Sequence, residues 1–349
     1  MSFVSLKISR DEEKEDYYTL LAAMDTSIKK VLEMDDFYLP TGRFLEKIYI
    51  DQKARIMKLM SGLIRWFHQG AKLPIWIIGL KPTFGLIPYS GIGSNEFNND
   101  HAGPMIKDVL ENALLLSVVA GVDGFDDRQM GEPLYRDVPN YMDMLKESSI
   151  KCMKIGILKV SLEVSAMTEA MKQKLLQQAK LWEALGAEVV EVSIPYHHIA
   201  PEIWMTGQRV AVNVKNGLIN GLYLLEKHPG IYVKTINISF KARAEYDNAL
   251  STVDVLIKPM VPFVAPRNCD RNANLITRIK NTIGLNANTG IFNITGHPAL
   301  TFPMEFLASQ EDPDMKFPVG IQIIGKHFDE KTVYAFAYEW EKAYNWKVY

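Results

Sequence analysis

From Gly79 to Asp127 the chain reads GLKPTFGLIPYSGIGSNEFNNDHAGPMIKDVLENALLLSVVAGVDGFDD. A turn, Lys81-Pro82-Thr83-Phe84-Gly85, opens it. Pro82 fixes its own φ, disfavours helix at Lys81 and brings no N–H to a sheet ladder. A second turn is expected around 88–93, with Asn98, Asn99 and Asp100 as caps. A helix is predicted to begin near Pro104, since proline suits a first helical turn. Met105, Val109, Leu110, Ala113, Leu114, Leu116, Ser117 and Val118 give it one wide apolar face. Gly121 is a suitable stop. The predicted order is strand, structured loop, helix, with the loop near the mouth of a sheet.

Downstream, 128–147 is polar, contains Pro133 and Pro139, and reads as a surface connection. A short apolar strand is predicted at 153–160, an amphipathic helix at 165–185 and a second strand at 188–194. That succession suggests a βαβ unit with a parallel pair. Helices are predicted at 201–227, 241–250 and 272–286, and a strand at 253–258 before Pro259. Strands at 299–303 and 319–324 and a helix at 332–344 follow. Alternating strands and helices imply a layered α/β domain with helices on both faces of a mixed sheet. Upstream, 17–32 and 45–67 have helical spacing of apolar residues. The second carries a basic stripe, Lys47, Lys53, Arg55, Lys58 and Arg65. Without a clustered aromatic platform, that stripe reads as a solvated helix face.

A chain of 349 residues holds one large domain or two ordinary ones. A net charge of −2 gives no argument for nucleic acid or an anionic membrane surface. Apolar runs such as 73–80 are too short to span a bilayer. The N-terminus lacks the apolar core of a signal peptide, so a cytoplasmic address is expected. Cys152 and Cys269 provide neither a disulfide framework nor a zinc spacing. His197 and His198 are adjacent, but neighbours on a strand point apart and no third ligand is in view, so no metal is expected.

Four pieces stand in order within and just after the opening stretch: G-L-K-P-T-F-G (79–85), D-H-A-G-P-M (100–105), N-A-L-L-L-S-V-V-A-G (112–121) and D-D-R-Q (126–129). Two more follow, N-A-N-T-G-I-F-N-I-T-G-H-P-A-L-T-F-P (286–303) and F-P-V-G-I-Q-I-I-G-K-H-F-D-E (317–330). Together they resemble the amidase signature family over roughly 79–344. The resemblance implies an α/β/α layered fold around a mixed sheet, apparently incomplete here. It divides the chain into an unmatched, mostly helical segment, 1–72, and an amidase-signature-like domain, 73–349. It implies a serine hydrolase that turns small carboxylic acid amides into acid and ammonia, with no cofactor and no metal. The expected partner is a small-molecule amide, with neither nucleic acid nor membrane, and a homo-oligomer is compatible. D-D-R-Q and His297 in T-G-H-P resemble the stand-alone amidases more than the amidotransferase component of the family.

In the resembled family the loop after G-L-K-P-T, the D-H-x-G-P turn and the N-T-x-x-F-N stretch lie near the active-site mouth. That makes Thr83, Asp100, His101, Asn288, Thr289 and Phe292 candidate substrate contacts. Each also has a plainer reading: Thr83 as a turn residue, Asp100 as a helix cap, His101 as a satisfied loop histidine, Phe292 as core. Met260 stands in Lys258-Pro259-Met260 where the family commonly shows threonine.

The family's chemistry needs a serine nucleophile, a second serine, a lysine base and backbone donors for the oxyanion. The relay stretch G-G-S-S-G-G-S does not occur, nor any Gly-Gly pair, nor a V-K-D strand. The nucleophile loop is echoed only by Ser61-Gly62-Leu63-Ile64-Arg65. With Ile64-Arg65 set on the family's I-R, Leu63 takes the serine slot. Ser61, two residues early, is the candidate nucleophile. A truncated gene product, a catalytically dead remnant and an amidotransferase component are the alternatives to an impaired amidase.

Overall fold

The computed structural model describes residues 77–90, 92, 97–129, 138–197, 226–265, 288–309 and 312–344, and the backbone of 63–66. All belong to one unit, Met57–Tyr349. The helices predicted at 17–32 and 272–286, nearly all of that at 201–227, and both Ser61 and His198 lie outside the described residues.

The first strands are β1, Leu63–Trp66, β2, Ile78–Lys81, and β3, His101–Ile106. Helix α1, Val109–Val119, and the short α2, Tyr141–Lys146, follow. Then come β4, Lys154–Leu158, α3, Glu169–Ala184, and β5, Glu188–Val192. After α4, Ile231–Thr252, come β6, Val255–Pro259, and α5, Gly290–Thr295. The last described elements are β7, Ala299–Ala308, β8, Lys316–Ile324, and α6, Glu330–Ala343.

Among the described residues eight strands form one sheet, ordered β1-β3-β2-β7-β8-β6-β4-β5. β4 runs parallel to β5 and to β6, as the predicted βαβ unit requires. The remaining pairs are antiparallel, β7 with β8 the longest. Successive strand residues face opposite layers. Ile155, Ile157, Val255, Ile257, Phe302 and Ile323 enter a core shared with α1, α3 and α6. Leu158, Leu256, Ala299 and Ile324 enter a second core with α4 and α5. This is the expected α/β/α layering. On α3, Met171, Leu175, Ala179 and Trp182 are buried at three- and four-residue spacing, so one stripe meets the sheet. Trp182 is fully buried, donates its indole N–H to the Phe336 carbonyl at 3.1 Å and packs edge-on against Phe302. At Gly156 in β4 a Cβ would come within 2.7 Å of both Leu256 and Val192 side chains, which would have to shift to admit it. At the β5 edge, Glu188 and Glu191 pair with Lys154 and Lys159 on β4 and its exit, placing charge where an open edge would invite pairing.

Two predicted helical segments are strands. Leu63–Trp66, inside the expected helix 45–67, pairs antiparallel with β3, Leu63 opposite Pro104. Pro104 therefore sits in β3 and does not start a helix. The helix starts five residues later, at Val109, after the Asp108 cap, whose carboxylate accepts the Glu111 N–H at 2.7 Å. Asp100 is accordingly not a helix cap but precedes a strand. The connection 128–147, expected to be surface, contains α2, whose Tyr141 and Leu145 are buried.

Asn112 of α1 fixes the place of this strand pair. It is fully buried, and its amide donates to the Ile78 carbonyl at 2.9 Å and the Pro104 carbonyl at 3.1 Å. Its own carbonyl accepts the Tyr334 hydroxyl at 2.7 Å. One side chain thus ties β2, β3 and α6 together.

Candidate functional site

The loop leaving β2 is held at each residue. Thr83 donates its N–H to Glu330 Oε1 at 2.8 Å, and its hydroxyl oxygen accepts the Phe328 N–H at 2.8 Å. Phe84 donates its N–H to the Gly296 carbonyl at 3.0 Å. Gly85 has φ +81° and lies so close to the Arg128 carbonyl that a Cβ would sit at 3.0 Å. Gln129 then donates to the Gly85 carbonyl at 2.7 Å and the Gly121 carbonyl at 2.6 Å. Thus G-L-K-P-T-F-G, T-G-H-P and D-D-R-Q interlock in space.

The loop forms one wall of a small cleft, with a cavity volume of about 10 Å3, lined by Thr83, Phe84, Tyr89, Asp100, His101 and Arg128 among others. Arg128 stacks over the Tyr89 ring at 3.9 Å and donates to the Asp100 carbonyl at 3.2 Å. His101 opens β3 and is buried. Its Nδ1 lies 3.0 Å from the Asn99 carbonyl, so Nδ1 carries the hydrogen and Nε2 presents a lone pair. Nε2 has no hydrogen-bond partner among the described residues. Burial, followed by the charge of Lys81, holds the ring well below the usual histidine range, so it is a neutral acceptor at pH 7.

Two buried ionisable groups that sequence reasoning missed, Lys81 and Glu330, stand near enough for each charge to act on the other. Lys81 is 2 % exposed and donates to the Pro82 carbonyl at 2.7 Å. Burial lowers its amine to about 7, against the raising effect of Glu330. Glu330 is fully buried, and burial raises its carboxyl above the ordinary range despite the bonds from Thr83. The signal available in the sequence is Lys81 inside an otherwise apolar strand, and Glu330 opening a helix with an apolar face.

The other three candidates lie in a second polar network. Asn288 is fully buried, its amide donating to the Ser161 carbonyl at 3.3 Å and the Pro259 carbonyl at 3.4 Å. Its carbonyl accepts from His197 Nε2 at 3.3 Å, and His197 Nδ1 accepts the buried Tyr246 hydroxyl. Phe292 is buried edge-on to Tyr246, 5.3 Å between centroids, with the Lys258 amine 5.2 Å from its ring. Thr289 is half-buried at the start of α5, and its side chain makes no capping bond. The structure therefore brings Thr83, Asp100 and His101 to one cleft and places Asn288 and Phe292 among the His197–Tyr246 network. The described serines Ser117, Ser161 and Ser239 donate their hydroxyls to carbonyls of their own local chain.

Comparison with known proteins agrees with this architecture. The family model for amidases matches residues 76–213 and 205–334. The A subunit of the glutamyl-tRNA(Gln) amidotransferase of Caldanaerobacter subterraneus subsp. tengcongensis is 28% identical over 306 residues, covering 77% of this chain and 59% of that protein. Its counterpart from Geobacillus thermodenitrificans is 28% identical over 305 residues, covering 76% and 59%. The chain thus spans about three fifths of the length of these curated relatives. Among solved structures, the counterpart from Thermotoga maritima superposes with a TM-score of 0.60 at 22% identity, covering 79% of this chain and 60% of that one. A bacterial aryl acylamidase gives 0.61 at 19%, covering 78% and 59%. With the family model spanning well over half of the residues and the fold shared, this chain belongs to the amidase signature family.

Proposed function

We propose that this chain carries the substrate-side half of a serine hydrolase of linear carboxylic acid amides, and that by itself it binds small amides with at most trace turnover. The observation that carries the reading is the cleft at His101. A carboxamide offers N–H donors and a carbonyl acceptor, and the lone pair of His101 Nε2 is a buried acceptor for the former. Thr83 and Asp100 shape the same cleft; Asn288, Thr289 and Phe292 are assigned to substrate by the family resemblance alone. The weakness of turnover rests on Leu63, which the Ile64-Arg65 anchor places in the serine slot. A hydrolase without its triad retains only about 10³–10⁴-fold acceleration over water. A cytoplasmic address and a small-molecule partner belong to the same reading.

The test combines a fluorophosphonate probe, a panel of aliphatic and aromatic amides, and the imidazole NMR signals. The expected result is no stoichiometric labelling, no turnover, and an amide-dependent shift of the His101 resonance that His101→Ala removes. Labelling abolished by Ser61→Ala, with amide turnover, overturns the lack of activity and makes Ser61 the nucleophile. Absence of any amide-dependent shift overturns the binding role.

The curated relatives favour a second reading, a component of an amidotransferase, since the two described above carry that name at 28% identity. Glutamine-dependent ammonia release on adding the other components of such an enzyme would distinguish it.

A further inference from the structure

Three side chains, one from α4 and one from each of the two C-terminal motifs, meet beside the T-G-H-P turn. Asp247 projects from α4, His297 follows Gly296, and His327 follows β8. Asp247 Oδ1 lies 3.1 Å from His297 Nε2 and 3.2 Å from His327 Nδ1. The three ligand atoms all lie within 4.8 Å of one another. With metal–ligand bonds of about 2.1 Å, two neighbouring ligands are separated by roughly 3.0 Å in octahedral and roughly 3.4 Å in tetrahedral geometry. Both measured separations fall in that range.

The outer nitrogens are already positioned. His327 Nε2 lies 3.1 Å from the Thr295 carbonyl, an acceptor only, so Nε2 carries the hydrogen. His327 Nδ1 then directs a lone pair at a carboxylate oxygen, and two acceptors face each other at 3.2 Å. That contact is favourable only with a cation between them or a second proton on the ring. His297 Nδ1 lies 3.0 Å from the Thr295 hydroxyl. A hydroxyl accepts as readily as it donates, so His297 can move its hydrogen to Nδ1 and free Nε2. Outer-shell oxygens that fix the tautomer in this way are the usual companions of metal-bound histidines. The site is also reachable: His297 is fully buried, but the side chains of His327 and Asp247 are 24% and 52% exposed.

We propose that Asp247, His297 and His327 form a binding site for a first-row divalent cation such as Zn2+. Two imidazoles and one carboxylate suit these metals better than Mg2+ or Ca2+. Arg243, one turn earlier on α4, donates Nε to the same Thr295 carbonyl at 2.8 Å. Its positive charge disfavours hard cations held by charge alone and leaves those held by imidazole donors. The metal would clamp α4 to the T-G-H-P turn and to the segment after β8, and its binding does not depend on that of an amide.

The full chain, stripped with chelator, is titrated with Zn2+ by calorimetry and with Co2+ by visible absorption. The expected result is one equivalent of Zn2+ bound at micromolar concentration and Co2+ d–d bands showing nitrogen ligation. His327→Gln and Asp247→Asn, both at positions open to solvent, are each expected to weaken binding at least tenfold with unchanged circular dichroism. His228→Gln, at an exposed histidine elsewhere, should bind as wild type. Failure of the wild type to bind Zn2+ below millimolar concentration overturns the proposal and leaves a protonated His327 paired with Asp247. Stoichiometric binding that survives both substitutions overturns it as well, by placing the metal elsewhere.

Discussion

Replacing Asn112 by alanine tests the joint between fold and site. The change removes two donors, to the Ile78 and Pro104 carbonyls, and the acceptor of the Tyr334 hydroxyl. Tyr334 is fully buried, so its hydroxyl is left without a partner, at a cost of about 1–3 kcal/mol. Each carbonyl bond contributes about 1 kcal/mol more. Such losses overlap within one network, so the expected destabilisation is about 3 kcal/mol rather than the full sum. Equilibrium unfolding in urea measures it. Tyr334→Phe removes the stranded hydroxyl, so the double variant should lose less than the two single losses added. A coupling of about 1 kcal/mol is expected for groups in direct contact. Because Asn112 holds β2 against β3, the His101 resonance should also move in Asn112→Ala and remain in place in a surface variant of equal stability. A loss below about 0.5 kcal/mol with an additive double variant would refute the view of Asn112 as the tie, since a surface change gives no more.

Other predictions are direct. Gly156→Ala should cost about 1–3 kcal/mol in urea unfolding, because the new methyl meets two core side chains at 2.7 Å. Trp182→Ala should cost about 3–5 kcal/mol by the same measurement, since it empties the α3–sheet contact. Lys81 gives a pH signature. Its folded value of about 7 lies below the unfolded value, so the unfolded chain binds more protons between pH 7 and about 10.4. Stability from this group is therefore lowest below pH 7 and rises with pH through that window, by at most about 1.4 kcal/mol per pH unit. Lys81→Met should flatten that rise, and an unchanged slope would show that the amine stays charged.

Much of the fold was legible because its signals are local. The short apolar run of 153–160, the strand at 188–194 and the helical period of 165–185 each depend on neighbours a few residues apart. α3 falls within the predicted 165–185, starting four residues later than expected, after the Thr168 cap, and Gly186, at φ +97°, lies just past its end. Legibility failed where a distant partner decides. Pro104 suits a first helical turn, but pairing across β1 and β2 makes it extended, and nothing local records that pairing. Leu63–Trp66 has helical spacing yet borders β3. The site shows the same division. Thr83, Asp100 and His101 come from adjoining segments, and the motifs that pointed to them are contiguous. Asp247, His297 and His327 lie 50 and 30 residues apart on α4 and two loops, and no spacing rule joins them. Lys81 and Glu330, at opposite ends of the matched region, each carry a local signal, but nothing local joins the two.

The contacts of the signature motifs show what those motifs hold together. Thr83 spends its backbone donor on Glu330 and its hydroxyl on Phe328, so it ties the turn after β2 to the start of α6. Gly296, at φ +80°, receives the Phe84 N–H and leaves no room for a Cβ, which would sit 3.0 Å from the Phe84 side chain. Gln129 closes the far side on Gly85 and Gly121. None of these bonds requires a reacting substrate. They require only that three loops converge at one end of the sheet. The motifs are therefore primarily a device for assembling the cleft, and the chemistry is added by separate residues. A chain can keep the first without the second. Thr83→Val makes the distinction testable: it keeps the shape but leaves the Phe328 N–H without its acceptor, at about 1–3 kcal/mol of stability. If the motif served substrate alone, Thr83→Val would leave urea unfolding unchanged and alter only the amide-dependent shift at His101.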